Sequence, residues 1–125
     1  MVANNINSLK GIVNGTANYI LTQMTEKGLE FTDVLKKAQE LGYAEADPTF
    51  DIEGIDSAHK ITILASLAYG GYIDFDKVHV EGITKITKDD IKFAQEFGYN
   101  IKLLASADKN ENGVDIRVQP TLIAK

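Results

Sequence analysis

At 125 residues, 44% of them apolar, the chain has the size of one ordinary globular domain and enough hydrophobic surface to build a core. A formal charge of -5 with scattered lysines excludes a nucleic-acid surface, because neutralising phosphates takes clustered Lys and Arg and only Lys36 and Lys37 are adjacent. Absence of cysteine excludes disulfides and thiolate metal sites, and the longest apolar-rich run, residues 61–72, falls short of the about 20 residues that cross a bilayer.

Residues 7–14 read as a short strand. Asn14-Gly15-Thr16 then turns into a helix for which Thr16 is the expected N-cap, with Ala17, Ile20, Leu21 and Met24 on one face and Gly28 as the stop. A helix N-terminus behind a glycine offers free N–H groups to a carboxylate or phosphate, although an ordinary capped start explains the same residues. The pattern predicts a second helix over 32–41, with Val34, Leu35, Ala38 and Leu41 buried and Gly42 as its end.

Pro48 blocks helix continuation from before it, so residues 45–50 are expected to be a loop. Asp51 is then expected to cap a helix over 52–69, which places Asp56 and Lys60 four apart on one face, with His59 beside them. Residues 61–67 are apolar on nearly all sides, which predicts burial, and Gly70-Gly71 ends the helix. An Asp56–Lys60 pair one turn before a buried segment is expected to be partly desolvated. Downstream, residues 78–83 alternate as a strand, and Thr87 to Asp90 has the form of a capping box with Asp in place of Glu. A helix with Ile91, Ala94 and Phe97 follows, ending at Gly98. Strands at 101–105 and 114–119 then form an antiparallel hairpin around a loop over 108–113. The fold class read from this order is α+β, with helices packed on one face of a mixed β-sheet. The chain has no leader pattern after Met1, and both ends read as cut. The expectation is a single domain over residues 1–125, truncated at both ends and cytoplasmic.

The chemistry concentrates between 42 and 60, where Glu45, Asp47, Asp51, Glu53 and Asp56 precede Lys60. Three uses remain open from these residues. The carboxylates and His59 could ligate a metal, although their spacing matches no calcium loop. They could offset a helix dipole, with Asp56–Lys60 an ordinary surface pair. They could also line a pocket that holds an amino group and moves a proton.

The runs GIVNGTANYILTQM (11–24), FTDVLKKAQELGYAEADP (31–48) and DIEGIDSAHK (51–60), with VQP at 118–120, resemble the catalytic domain of homoserine dehydrogenase. The likeness extends over nearly the whole chain from about residue 8. It implies NAD(P)-dependent interconversion of L-homoserine and L-aspartate 4-semialdehyde, on the route to threonine, methionine and isoleucine, by a homodimer. Under that resemblance Lys60 matches the proton donor or acceptor, Asp56 a substrate-binding carboxylate that also orients the lysine, and Glu45 the group that binds the substrate ammonium. Asp51 and Tyr43 match further substrate-side positions, Thr16 is placed to receive the substrate carboxylate, and Gly42 corresponds to backbone near the cofactor. No metal is implied. A Gly-x-Gly-x-x-Gly turn is missing, and residues 11–15 have the wrong spacing to replace it. The NADP or NAD would therefore be bound mainly by a Rossmann domain outside this sequence, and the fragment alone is expected to be inactive. The alternative from another class is a non-catalytic, ACT-like small-molecule sensor, since residues 78–119 read β-α-β-β.

Overall fold

The frame of the molecule is a long hairpin, β3 (Tyr99–Asn110) and β4 (Gly113–Ala124), paired antiparallel from Tyr99↔Ala124 to Asn110↔Gly113. The structure, a computed structural model, describes residues 7–71 and 73–125. Glu111 and Asn112 alone make the turn, so the hairpin is longer and its loop tighter than the alternation predicts. The Asn110 side chain accepts from the Asn112 N–H at 2.8 Å and closes it. Two short strands flank the hairpin in the order β1-β3-β4-β2, with β1 (Ser8–Gly11) antiparallel to β3 and β2 (His79–Val80) parallel to β4. The sheet is mixed, with helices on one face, as expected.

Residue alternation on β3 decides which face is covered. Ile101, Leu103, Ala105 and Ala107 are buried under helices, whereas Lys102, Leu104, Ser106 and Asp108 on the other face are only half-buried. The covering layer comprises α1 (Gly15–Lys27), α2 (Phe31–Glu40), α4 (Ile55–Tyr69) and α5 (Lys88–Glu96). Ile20, Leu21 and Met24 of α1, Ile61 and Ala65 of α4, and Ile91 of α5 meet Leu103, Ile116 and Val118 of the sheet in one core. The Thr87–Asp90 capping box is present in both directions and starts α5 as the sequence predicts.

Four local expectations are corrected. The N-cap of α1 is Asn14, not Thr16, because the Asn14 side chain accepts from the Ala17 N–H at 2.8 Å and the helix already includes Gly15. Asp51 caps nothing: it lies inside a four-residue helix, α3 (Thr49–Ile52), separated from α4 by Gly54 at φ 83°, a left-handed conformation that breaks the expected single helix. Residues 61–67 are not buried all round, since Ile63, Leu64 and Leu67 are 60%, 46% and 78% exposed, and Leu41 at the end of α2 is half-exposed. The strand expected over 78–83 shrinks to two residues, because Gly82 crosses α3 so closely that the Ile83 N–H donates to Ile52 O at 2.8 Å.

That short β2 also explains how Pro120 sits within β4. Val118 O accepts from the Glu81 N–H on the β2 side, so Pro120, two residues on, turns its missing N–H to the same edge beyond the end of β2.

Candidate functional site

The site is built where four chain segments meet at the start of α1. Capping requires Asn14 Oδ1 to face the Ala17 N–H, and that fixes the carboxamide with its nitrogen turned away from the helix. Nδ2 then donates to two carboxylates, Asp51 Oδ1 at 2.8 Å from α3 and Asp56 Oδ2 at 2.7 Å from the first turn of α4. Asn14 is itself buried. Two like charges are thus held by the two N–H bonds of one amide.

Lys60 completes the group. Its Nζ lies 2.8 Å from Asp56 Oδ2 and donates to Val13 O at 3.0 Å, so both anchors lead back to the chain just before α1. The Asp56 side chain is 18% exposed and that of Lys60 50%, so the expected partial desolvation applies to the carboxylate more than to the ammonium. Burial pushes the Asp56 carboxyl up. The hydrogen bonds from Lys60 and Asn14, with the charges of Lys60 and His59, outweigh it and hold Asp56 below the ordinary carboxylate value. Lys60 has three N–H bonds and two acceptors among the described residues, which leaves one donor for a ligand.

The end of α2 supplies the second wall. Gly42, at φ 82°, lets the Tyr43 N–H reach Ala38 O at 2.8 Å and its own N–H reach Gln39 O at 3.1 Å, a Schellman turn that closes the helix. Tyr43 is thereby laid edge-on against Tyr19, ring centroids 5.0 Å apart, and its carbonyl accepts from Thr16 Oγ1 at 3.4 Å. Gly15, Thr16, Tyr19 and Tyr43 line a shallow hollow of about 290 Å³. A hollow of about 340 Å³ at Tyr69, Ile73, Lys77 and Val114 contains none of the candidate residues, and the candidate site is an open face rather than a pit.

The structure therefore gathers Lys60, Asp56 and Asp51 around Asn14, and sets Thr16 and Tyr43 beside them. Glu45 stands apart. It is exposed, its carboxylate makes no ion pair among the described residues, and its backbone carbonyl is tied by Gln39 Nε2 at 3.0 Å. Gly42 is exposed, with open space where a side chain would stand. Among the described residues no group of three His, Asp or Glu is placed to hold a metal ion. His59 stacks between Phe50 and Phe75, at 5.7 and 4.4 Å. His79 is exposed beside Glu81, its Nε2 2.7 Å from Oε1. Asn14 is the residue that sequence reasoning missed, although asparagine before Gly-Thr is as good a cap signal as threonine.

A lysine and a carboxylate locked in register on a helix, beside a tyrosine-walled hollow on an α+β layer, form a site that can move a proton at a small polar substrate. The same layer occurs in solved oxidoreductases. The structure of a homoserine dehydrogenase from Thiobacillus denitrificans superposes with a TM-score of 0.94 at 57% identity, over 98% of this chain and 28% of that one. A hyperthermophilic archaeal homoserine dehydrogenase in complex with NADPH matches with a TM-score of 0.77 at 29% identity, over 97% of this chain and 33% of that one. The homoserine dehydrogenase of Pseudomonas aeruginosa is 60% identical over 121 residues, 97% of this chain and 28% of its own length. The sequence profile described as homoserine dehydrogenase matches residues 1–125. The chain belongs to the homoserine dehydrogenase family. It spans about 28% of the length of these curated relatives, and the comparisons give the sensor alternative no support.

Proposed function

We propose that this chain is the substrate-binding and proton-transferring part of an NAD(P)-dependent homoserine dehydrogenase, which interconverts L-homoserine and L-aspartate 4-semialdehyde. The observation that carries the reading is the Lys60–Asp56 pair, 2.8 Å apart, tied through Asn14 to the first turn of α1, which holds Thr16. In aldehyde reduction Lys60 Nζ gives a proton to the carbonyl oxygen as it becomes an alcohol. In the reverse direction the deprotonated amine takes the hydroxyl proton. Asp56 holds Nζ in place and contributes a carboxylate to the substrate side. Asp51 adds negative charge that complements the ammonium of a free amino acid, Glu45 is assigned to that ammonium by the family resemblance although it stands apart from the cluster here, and Thr16 and Tyr43 receive the carboxylate end.

NADP or NAD, when bound, supplies or accepts the hydride. The exposed backbone at Gly42, with no side chain above it, fits close approach by such a ligand, and the NADPH complex of the archaeal relative supports the same cofactor class. A cytoplasmic homodimer serving threonine, methionine and isoleucine synthesis completes the proposal. The uncovered face of the sheet, where Leu104 and Ile123 are half-buried without a layer above them, supports pairing.

The test is turnover of L-homoserine with NADP+ or NAD+ by the full-length protein and its Lys60→Ala variant. The expected result is a fall in kcat of about 100-fold or more with the protein still folded and Tm lowered only modestly, since the Lys60 side chain is half-exposed and its loss removes one ion pair. Unaltered turnover in the variant would sink the assignment.

A further inference from the structure

We infer that Asn14 is a positioning residue for this reaction, holding Asp56 in register with Lys60 by donating to both carboxylates of the site. The inference rests on the functional reading above. Its support is geometric. The Asn14 carboxamide has no rotational choice: Oδ1 is taken by the Ala17 N–H at 2.8 Å, so Nδ2 must face Asp51 and Asp56. Both contacts are short, and the residue is buried. Asp56 Oδ2 receives Asn14 and Lys60 together, which leaves its Oδ1 without a partner among the described residues. A helix cap needs only the Oδ1 contact. The two bonds from Nδ2 do nothing for the helix, and both end on carboxylates of the site.

The charged groups facing Asp56 are Lys60 and His59 on α4 itself and, across the Asn14 amide, Asp51 on α3. Removal of the amide leaves Asp51 and Asp56 facing each other with no donor between them. Like charges then favour the protonated form of Asp56, which neither anchors the Lys60 ammonium nor complements a cationic substrate.

Two substitutions separate capping from positioning. Asn14→Asp keeps a good N-cap but replaces the donor with a third carboxylate, and Asn14→Ser keeps the cap with a hydroxyl too short to span to both aspartates. In the full-length enzyme the acid limb of kcat/KM for L-aspartate 4-semialdehyde reduction, the direction in which Lys60 works as the ammonium, is expected to move up by about 1 pH unit or more in Asn14→Asp. Asn14→Ser is expected to lose about tenfold in kcat/KM, the worth of one charge-assisted hydrogen bond. Tm is expected to fall in both, by more in Asn14→Asp, so kcat/KM is taken per folded enzyme at a temperature where both variants remain folded. An unmoved acid limb in Asn14→Asp, together with activity in both variants that tracks only the folded fraction, would show Asn14 to be a cap alone. Absence of homoserine turnover in the wild type would overturn the functional reading as well, so the two failures are told apart by the wild-type assay.

Discussion

Two carboxylates, one amide and one ammonium share a few ångströms at the start of α1. Asp56 is the group whose titration carries the consequence. Its folded carboxyl lies below the ordinary value of 3.8, because bonds from Lys60 and Asn14 outweigh the effect of burial. The ionised form is therefore favoured in the folded protein. Its contribution to stability is fully present above the unfolded value and is lost as pH falls through the lowered, folded one. Asp56→Asn cannot titrate, so its Tm should fall less steeply than that of the wild type as the pH drops below about 4. Parallel Tm curves for the two proteins across that acid range would mean that Asp56 is not coupled to Lys60 and Asn14 as the geometry requires.

At the scale of elements, the contacts that place the site join residues far apart in sequence. Asn14 reaches Asp51 across 37 positions, and Asn18 reaches Leu103 across 85. The Asn18 amide accepts from the Leu103 N–H at 2.8 Å and donates to its carbonyl at 3.1 Å. It thus acts as a substitute peptide group on the β3 edge where β1 has ended. Neither contact could be read from local pattern. What was legible had both partners close by: the Thr87–Asp90 box, the glycine stops after α1, α2 and α4, and the i, i+4 pair Asp56–Lys60. The break at Gly54 was missed because Asp51 reads as the cap of a single helix over 52–69, whereas Gly54 lies against Glu81 O and Val118, contacts made by β4 and the end of β2. Gly82 shows the same dependence. A Cβ there would lie 2.2 Å from Ile52 O and 2.4 Å from Glu53 Cα, backbone that cannot give way without moving α3. Gly82→Ala should cost about 3 kcal/mol in denaturant unfolding and reduce turnover by displacing Asp51. A loss below 1 kcal/mol would show that the β2 loop does not fix α3.

For the whole molecule, the sheet has one covered face and the site opens at the margin of the helical layer. Lys60 is half-exposed, Tyr43 and Glu45 are exposed, and α4 runs on from Lys60 into Ile63, Leu64 and Leu67 on the same stripe, none of them covered. Such a face suits proton transfer only when water is kept from it, because charges in an open site are screened and a hydride carrier must be held against the reacting carbon. The family resemblance could indicate which residues converge but not how open they would stand, since exposure depends on what packs above them. The 125-residue chain, about 28% of the length of curated relatives it matches, carries Lys60, the proposed proton-transferring residue, and its sequence contains no Gly-x-Gly-x-x-Gly turn of the kind that cradles a dinucleotide's phosphates. Purified by itself and given L-homoserine with NADP+ or NAD+, it should produce no reduced nicotinamide above background, while the full-length protein under the same conditions turns over. A rate from the isolated chain within about tenfold of the full-length enzyme would mean that orientation of the hydride carrier, which can contribute many orders of magnitude, is supplied by these residues alone.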